Sequence, residues 1–141
     1  MSKIITLLSV LVLFLFSASP ALSKYSIDSI VMYRLKDGGM KEIRDDFTQK
    51  DKIYADFTFS PGEEEMGVEF RWINPLNKKE QSYFELVKSS QPLKKKTMIC
   101  WLQMHPTLPE KIIGSRFLGR WRLEVWVNNR RVAEKAFVVG N

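Results

Sequence analysis

The chain is poor in the residues that most enzyme chemistry needs. It holds one cysteine, Cys100, and one histidine, His105, in 141 residues. A single cysteine forbids an intramolecular disulfide, so the core must hold the fold unaided. Cys100 stands between Ile99 and Trp101 and reads as a buried small hydrophobe, with an intermolecular disulfide as the alternative. A single histidine excludes His-rich metal sites and two-histidine motifs. A Cys100–His105 pair would be one route to an activated thiolate. However, the cysteine sits inside an apolar alternation and the histidine at a strand end marked by Pro106. The sequence also lacks a Gly-rich phosphate loop, a serine nucleophile elbow and a cysteine pair at metal spacing. Asp45-Asp46 are adjacent, so on a strand they point to opposite faces. Glu63-Glu64-Glu65 lacks the spaced Asp/Asn/Gly pattern of a calcium loop and reads as a solvated turn. No catalytic residue, cofactor or metal is expected, and no window carries a sustained helical repeat.

The N-terminal stretch has the layout of a secretory signal peptide. Lys3 gives the positive end, Ile4 to Phe16 an almost unbroken apolar run, and Ser17 to Ser23 a small-residue region containing Pro20. Ala21 and Ser23 place cleavage before Lys24; Ser19 and Ala21 place it before Leu22 instead. The apolar run is shorter than the roughly 20 residues of a spanning helix, which weighs against the alternative of a retained anchor. No cysteine closes the leader, so lipid attachment at a lipobox is excluded. The expectation is a signal peptide over 1–23, one domain over 24–141 and a periplasmic or extracellular destination. The whole chain carries a net charge of +6, and loss of Lys3 with the leader makes it +5.

Short segments of period two, separated by Gly, Pro, Asn and charged turns, fill the remainder. Residues 24–36 open it with apolar members on both faces, and 40–52 read as a loop or connecting strand anchored by Phe47. Ile53, Ala55, Phe57 and Phe59 form one inward row; Val68, Phe70 and Trp72 form the next. Asn74 to Asn77 make a turn, and 82–87 return as a strand with Tyr83, Phe84 and Leu86. Met98, Cys100, Leu102 and Met104 give another inward row. A looser segment with Ile112, Ile113, Gly114 and Phe117 follows. In the closing stretch Trp121, Leu123, Val125 and Val127 alternate with Arg120, Arg122, Glu124 and Trp126. Asn128-Asn129 then supply residues tolerant of positive φ for a two-residue hairpin turn. This spacing predicts an all-β sandwich or barrel.

The closing hairpin resembles that of bacterial exported immunoglobulin-like domains, through Gly119, Trp121, Leu123, Val125, Asn128, Asn129, Phe137 and Val139. Phe70, Trp72, Asn74 and Pro75 resemble the aromatic strand and Trp-x-x-Pro turn of such domains, although Leu76-Asn77 stands where Asp/Asn-Gly is usual. Asn129 likewise replaces the usual turn glycine. The resemblance implies an immunoglobulin-like antiparallel β-sandwich of about seven strands, and a non-catalytic interaction module.

Lys94 to Lys96, Arg116, Arg120, Arg122, Arg130 and Arg131 are candidates for a positive surface. Arg120, Arg122, Trp126 and Arg130 are the expected partner-binding face, a basic strip with one aromatic member. An exported location points to an envelope protein or an anionic surface ligand rather than nucleic acid. The alternative is an inhibitor of a protease or other envelope enzyme, presenting the segment from His105 to Gly119.

Overall fold

The computed structural model describes residues 25–62, 64–88, 94–104 and 117–141. The leader, His105, Arg116 and most of the segment from His105 to Gly119 lie outside the described residues, as does Glu63 of the acidic turn. The strands are β1 (Ser26–Leu35), β2 (Lys41–Ile43), β3 (Asp46–Thr48), β4 (Lys52–Ser60), β5 (Met66–Ile73), β6 (Lys79–Val87), β7 (Lys96–Gln103), β8 (Gly119–Val127) and β9 (Arg130–Gly140). One sheet has the order β2-β1-β4-β7 and the other β3-β9-β8-β5-β6.

With β1, β4 and β7 as strands A, B and E, and β9, β8, β5 and β6 as G, F, C and C′, this is the strand order of an immunoglobulin-like sandwich. The described residues form nine strands rather than about seven. The additions, β2 and β3, have three residues each, too few to show an alternation. The sandwich is also not wholly antiparallel, because β3 runs parallel to β9, with Phe47 opposite Val139.

The inward rows close on each other as the alternation requires. Ile53, Ala55, Phe57 and Phe59 on β4 are fully buried, as are Val68, Phe70 and Trp72 on β5 and Trp121, Leu123 and Val125 on β8. Phe137 on β9 is the hub of the far end: its ring lies 5.8 Å from Trp72, 6.0 Å from Trp121 and 5.9 Å from Phe47. Phe47 is thereby the anchor of its segment, 3% exposed. The Trp121 indole, buried in this cluster, donates to the Phe117 carbonyl at 2.8 Å, so the one polar atom of the ring is satisfied.

Two turns fix the register. Asn74 is 2% exposed, and its Oδ1 accepts from the N–H groups of Leu76 (2.9 Å) and Lys78 (3.0 Å), an Asx arrangement that shapes the β5–β6 turn. Asn128 and Asn129 adopt φ of 48° and 63°, as a primed two-residue turn demands. Gly119 has φ of 128° and would set a Cβ 3.3 Å from Pro75, which explains glycine at the head of β8.

Candidate functional site

The outer face of the five-stranded sheet is the surface expected to bind a partner. Strand alternation sends Arg120, Arg122, Glu124 and Trp126 outward from β8, opposite Val138, Ala136, Glu134 and Arg131 of β9. On the other side, Glu69 and Arg71 of β5 stand opposite Trp126 and Glu124. Phe84 and Ser82 of β6 continue the same two rows.

Glu124 lies at the centre of this face and is only 4% exposed. Its carboxylate accepts from Arg122 Nε at 2.9 Å, Trp126 Nε1 at 2.9 Å and Arg131 Nη1 at 3.4 Å. Burial alone would raise its pKa, but the hydrogen bonds from Arg122, Trp126 and Arg131, with the Arg122 charge, hold it below the ordinary glutamate value. Glu134 takes the other side of Arg131 at 3.4 Å and approaches Arg122 at 3.9 Å. Arg71 bonds Glu69 at 2.7 Å and lays its guanidinium 4.0 Å from the centroid of the Trp126 ring, a cation–π stack. The buried Nε of Arg71 has no acceptor among the described residues.

The structure therefore brings Arg122 and Trp126 together but makes them members of a self-neutralised network. Arg122, Arg71 and Arg131 are each spent on a glutamate. Arg120 and Arg130 make no ion pair among the described residues. Arg130 lies opposite Val127, whereas Arg131 is the residue beside Trp126. The signal for Arg131 was present in the sequence: counting outward from a two-residue turn pairs 127 with 130 and 126 with 131.

Sequence reasoning also missed the apolar edge of this face. Phe84 and Leu86 are 60% and 59% exposed. Together with Gly67, Glu69, Trp126, Asn128 and Asn129 they line a depression of about 220 Å³. Gly67 is its floor: a Cβ there would stand 2.9 Å from Phe84 Cε2, so the ring leans over the glycine. The Asn128 Oδ1 accepts from the Gly67 N–H at 2.9 Å, which ties the hairpin tip to the same floor.

The opposite face of the sandwich carries an aromatic rung. Tyr33, Tyr54 and Trp101 are directly paired across β1, β4 and β7, and the tyrosine rings stack at 5.4 Å. Lys41 covers Tyr33, and Lys52 lies 5.2 Å from Tyr54 and 4.9 Å from Trp101. Asp56 accepts from the Tyr33 hydroxyl at 2.9 Å and pairs with Lys41 at 2.7 Å. This rung explains how Tyr33 is buried on a solvent face.

The nucleophile considered from the sequence takes no such exposed place. Cys100 is 3% exposed between the sheets, and burial, with the Asp56 charge, pushes its thiol up to about 12, the opposite of what a thiolate nucleophile requires. Among the described residues no cluster of three or more His, Cys, Asp or Glu is arranged to hold a metal.

No protein-family model matches the chain, and no curated protein matches it. Solved structures do. An alkylpurine DNA glycosylase of Pseudomonas fluorescens, bound to DNA containing an abasic-site analogue, superposes with a TM-score of 0.56 at 11% identity, over 84% of this chain. The strand order of the two sheets makes the fold immunoglobulin-like. The chain spans 31% of the glycosylase's length, so the likeness concerns architecture alone. An immunoglobulin-like protein of Pseudomonas aeruginosa superposes with a TM-score of 0.48 at 19% identity, over 85% of this chain and 99% of that one.

Proposed function

We propose that this chain is an exported, non-enzymatic binding or accessory module that engages an envelope protein through the outer face of its five-stranded sheet. The leader pattern of residues 1–23 supports export to the periplasm. The observation that carries the contact surface is the exposed pair Phe84 and Leu86 beside the Arg71–Trp126 stack. Interface centres favour aromatic and arginine side chains set among apolar neighbours. The Glu124 network bears on partner chemistry, because a face whose arginines are neutralised offers little to a polyanion and suits a protein surface better. Arg120, on the outward row of β8, forms the charged rim.

The test is a crosslinking pull-down from the native envelope fraction with residues 24–141 as bait, run beside Phe84→Ser and Arg120→Glu variants. One dominant protein, lost with Phe84→Ser and weakened with Arg120→Glu, is the expected result. Equal recovery by all three baits, or recovery of lipid or glycan alone, would overturn the assignment.

A further inference from the structure

Among the described residues, β6 ends its sheet and pairs on one side only, with β5. Edge strands that remain monomeric are blunted by shortness, bulges, proline or central lysine. The edges at the opposite side of the sandwich, β2 and β3, are three residues each. In contrast, β6 has nine, its one register irregularity lies at Glu80, and from Gln81 to Val87 it contains no Lys, Arg, Pro or Gly. The strand also overhangs the core. Tyr83, which pairs with the inward Phe70, is 45% exposed, while Phe84 and Leu86 are exposed on the outer face.

We propose that β6 pairs antiparallel with β6 of a second copy of this chain, about a twofold axis through Phe84, joining the two sheets into one. A twofold perpendicular to the sheet keeps outward side chains outward in both copies, so it must pass opposite a residue rather than between two. Placed at Phe84, it uses the whole regular stretch: Gln81 meets Val87, Ser82 meets Leu86 and Tyr83 meets Glu85. Within one strand the Tyr83 hydroxyl already donates to Glu85 at 3.1 Å, so these two groups suit each other across the axis as well. Phe84 faces its own copy with Leu86 on the diagonal, which gathers the exposed apolar side chains along the seam. At each end Glu80 meets Lys88 of the second copy, two opposite-charge pairs per dimer. An axis at Tyr83 instead sets Lys78 against Lys88 at both ends. Complementary charge at the ends and apolar side chains at the centre select a second copy as the occupant, in this register. The pairing leaves the Glu124 network and the Arg71–Trp126 stack open, but it draws on Phe84 and Leu86, so Lys88→Glu rather than Phe84→Ser separates it from the envelope-partner reading.

Sedimentation of the chain, recovered after expression of its full sequence, over a concentration series tests the proposal. A reversible monomer–dimer equilibrium is expected. Lys88→Glu should weaken it roughly tenfold by opposing two pairs of like charges, and Glu80→Lys with Lys88→Glu should restore it. Because Glu80 also accepts from Asn74 Nδ2 at 2.7 Å, a second measurement avoids it. Under mild oxidation Phe84→Cys should give a disulfide-linked dimer, while Leu86→Cys, opposite Ser82, should not; Cys100 is buried and contributes no crosslink. A wild type that stays monomeric at every concentration overturns the proposal. So does a dimer that the charge exchange neither weakens nor rescues, or one in which both cysteine variants crosslink alike.

Discussion

Asn128 and Gly67 exchange two hydrogen bonds across 61 positions of sequence: the Asn128 N–H donates to the Gly67 carbonyl at 2.9 Å, and the Gly67 N–H donates to Asn128 Oδ1 at 2.9 Å. The tip of the closing hairpin is thus fastened to the start of β5, and one asparagine serves both as turn residue and as bolt. Asn128→Gly keeps the φ of 48° and loses only the side-chain acceptor, at a cost of about 1 kcal/mol. Asn128→Ala adds the strain of positive φ and should cost about 2 kcal/mol. Denaturant unfolding of the two variants separates bolt from turn; equal losses would refute the division.

Glu124 should make stability depend on pH in the acid range. Its folded pKa is held below the ordinary value by Arg122, Trp126 and Arg131 against the opposing effect of burial. The stabilisation it gives is therefore complete above its unfolded pKa of about 4.3 and disappears as pH falls through the folded value. Glu124→Gln should be less stable than the wild type at neutral pH, and the gap should close on acidification. A gap unchanged between about pH 3 and 6 would show that the carboxylate charge contributes nothing.

Arg120 and Arg122 occupy the same outward row but should respond differently to charge reversal. Arg122→Glu places a third carboxylate against Glu124 and Glu134 and leaves a buried charge short of a partner, a loss of about 3 kcal/mol. Arg120→Glu touches no ion pair of the described residues and should stay within about 0.5 kcal/mol. Thermal unfolding of both variants decides this, and it determines which of them is usable in binding experiments.

Cys100 should be unreactive in the folded protein. With its thiol pushed up to about 12 and its side chain between the sheets, alkylation at neutral pH should proceed only through unfolding. Labelling should be slow in buffer and complete in denaturant. Rapid labelling of the native chain would mean that β7 opens readily.

The core was legible because burial on one face writes itself into the sequence with period two. Ile53 to Phe59, Val68 to Trp72 and Met98 to Met104 alternate in the text as they do in space. The leading strand was legible only as two-sided, since Tyr33 is buried on the solvent face by contacts with Tyr54 and Lys41 that no local pattern encodes. β3 left no alternation because its three residues pair with a strand some ninety positions away, and only Phe47 betrayed it. On the candidate face, the residue types were visible but their pairing was not. The basic strip read from Arg120 and Arg122 omitted the partners that β5 and β9 bring to it. Phe84 and Leu86 are exposed because they face outward, but the 45% exposure of the inward Tyr83 depends on β6 overhanging the opposite sheet, which only the assembled layers reveal.

The placement of β9 has a consequence for how the chain reaches this state. It follows all the other described strands in sequence, yet it sits inside its sheet, between β3 and β8. Phe137 on the same strand is the ring on which Phe47, Trp72 and Trp121 converge. Neither the five-stranded sheet nor this aromatic cluster can form until β9 has been synthesised. Closure must then join distant parts of the sequence, which makes it slow and late. A chain truncated before β9 should therefore remain loose and protease-sensitive.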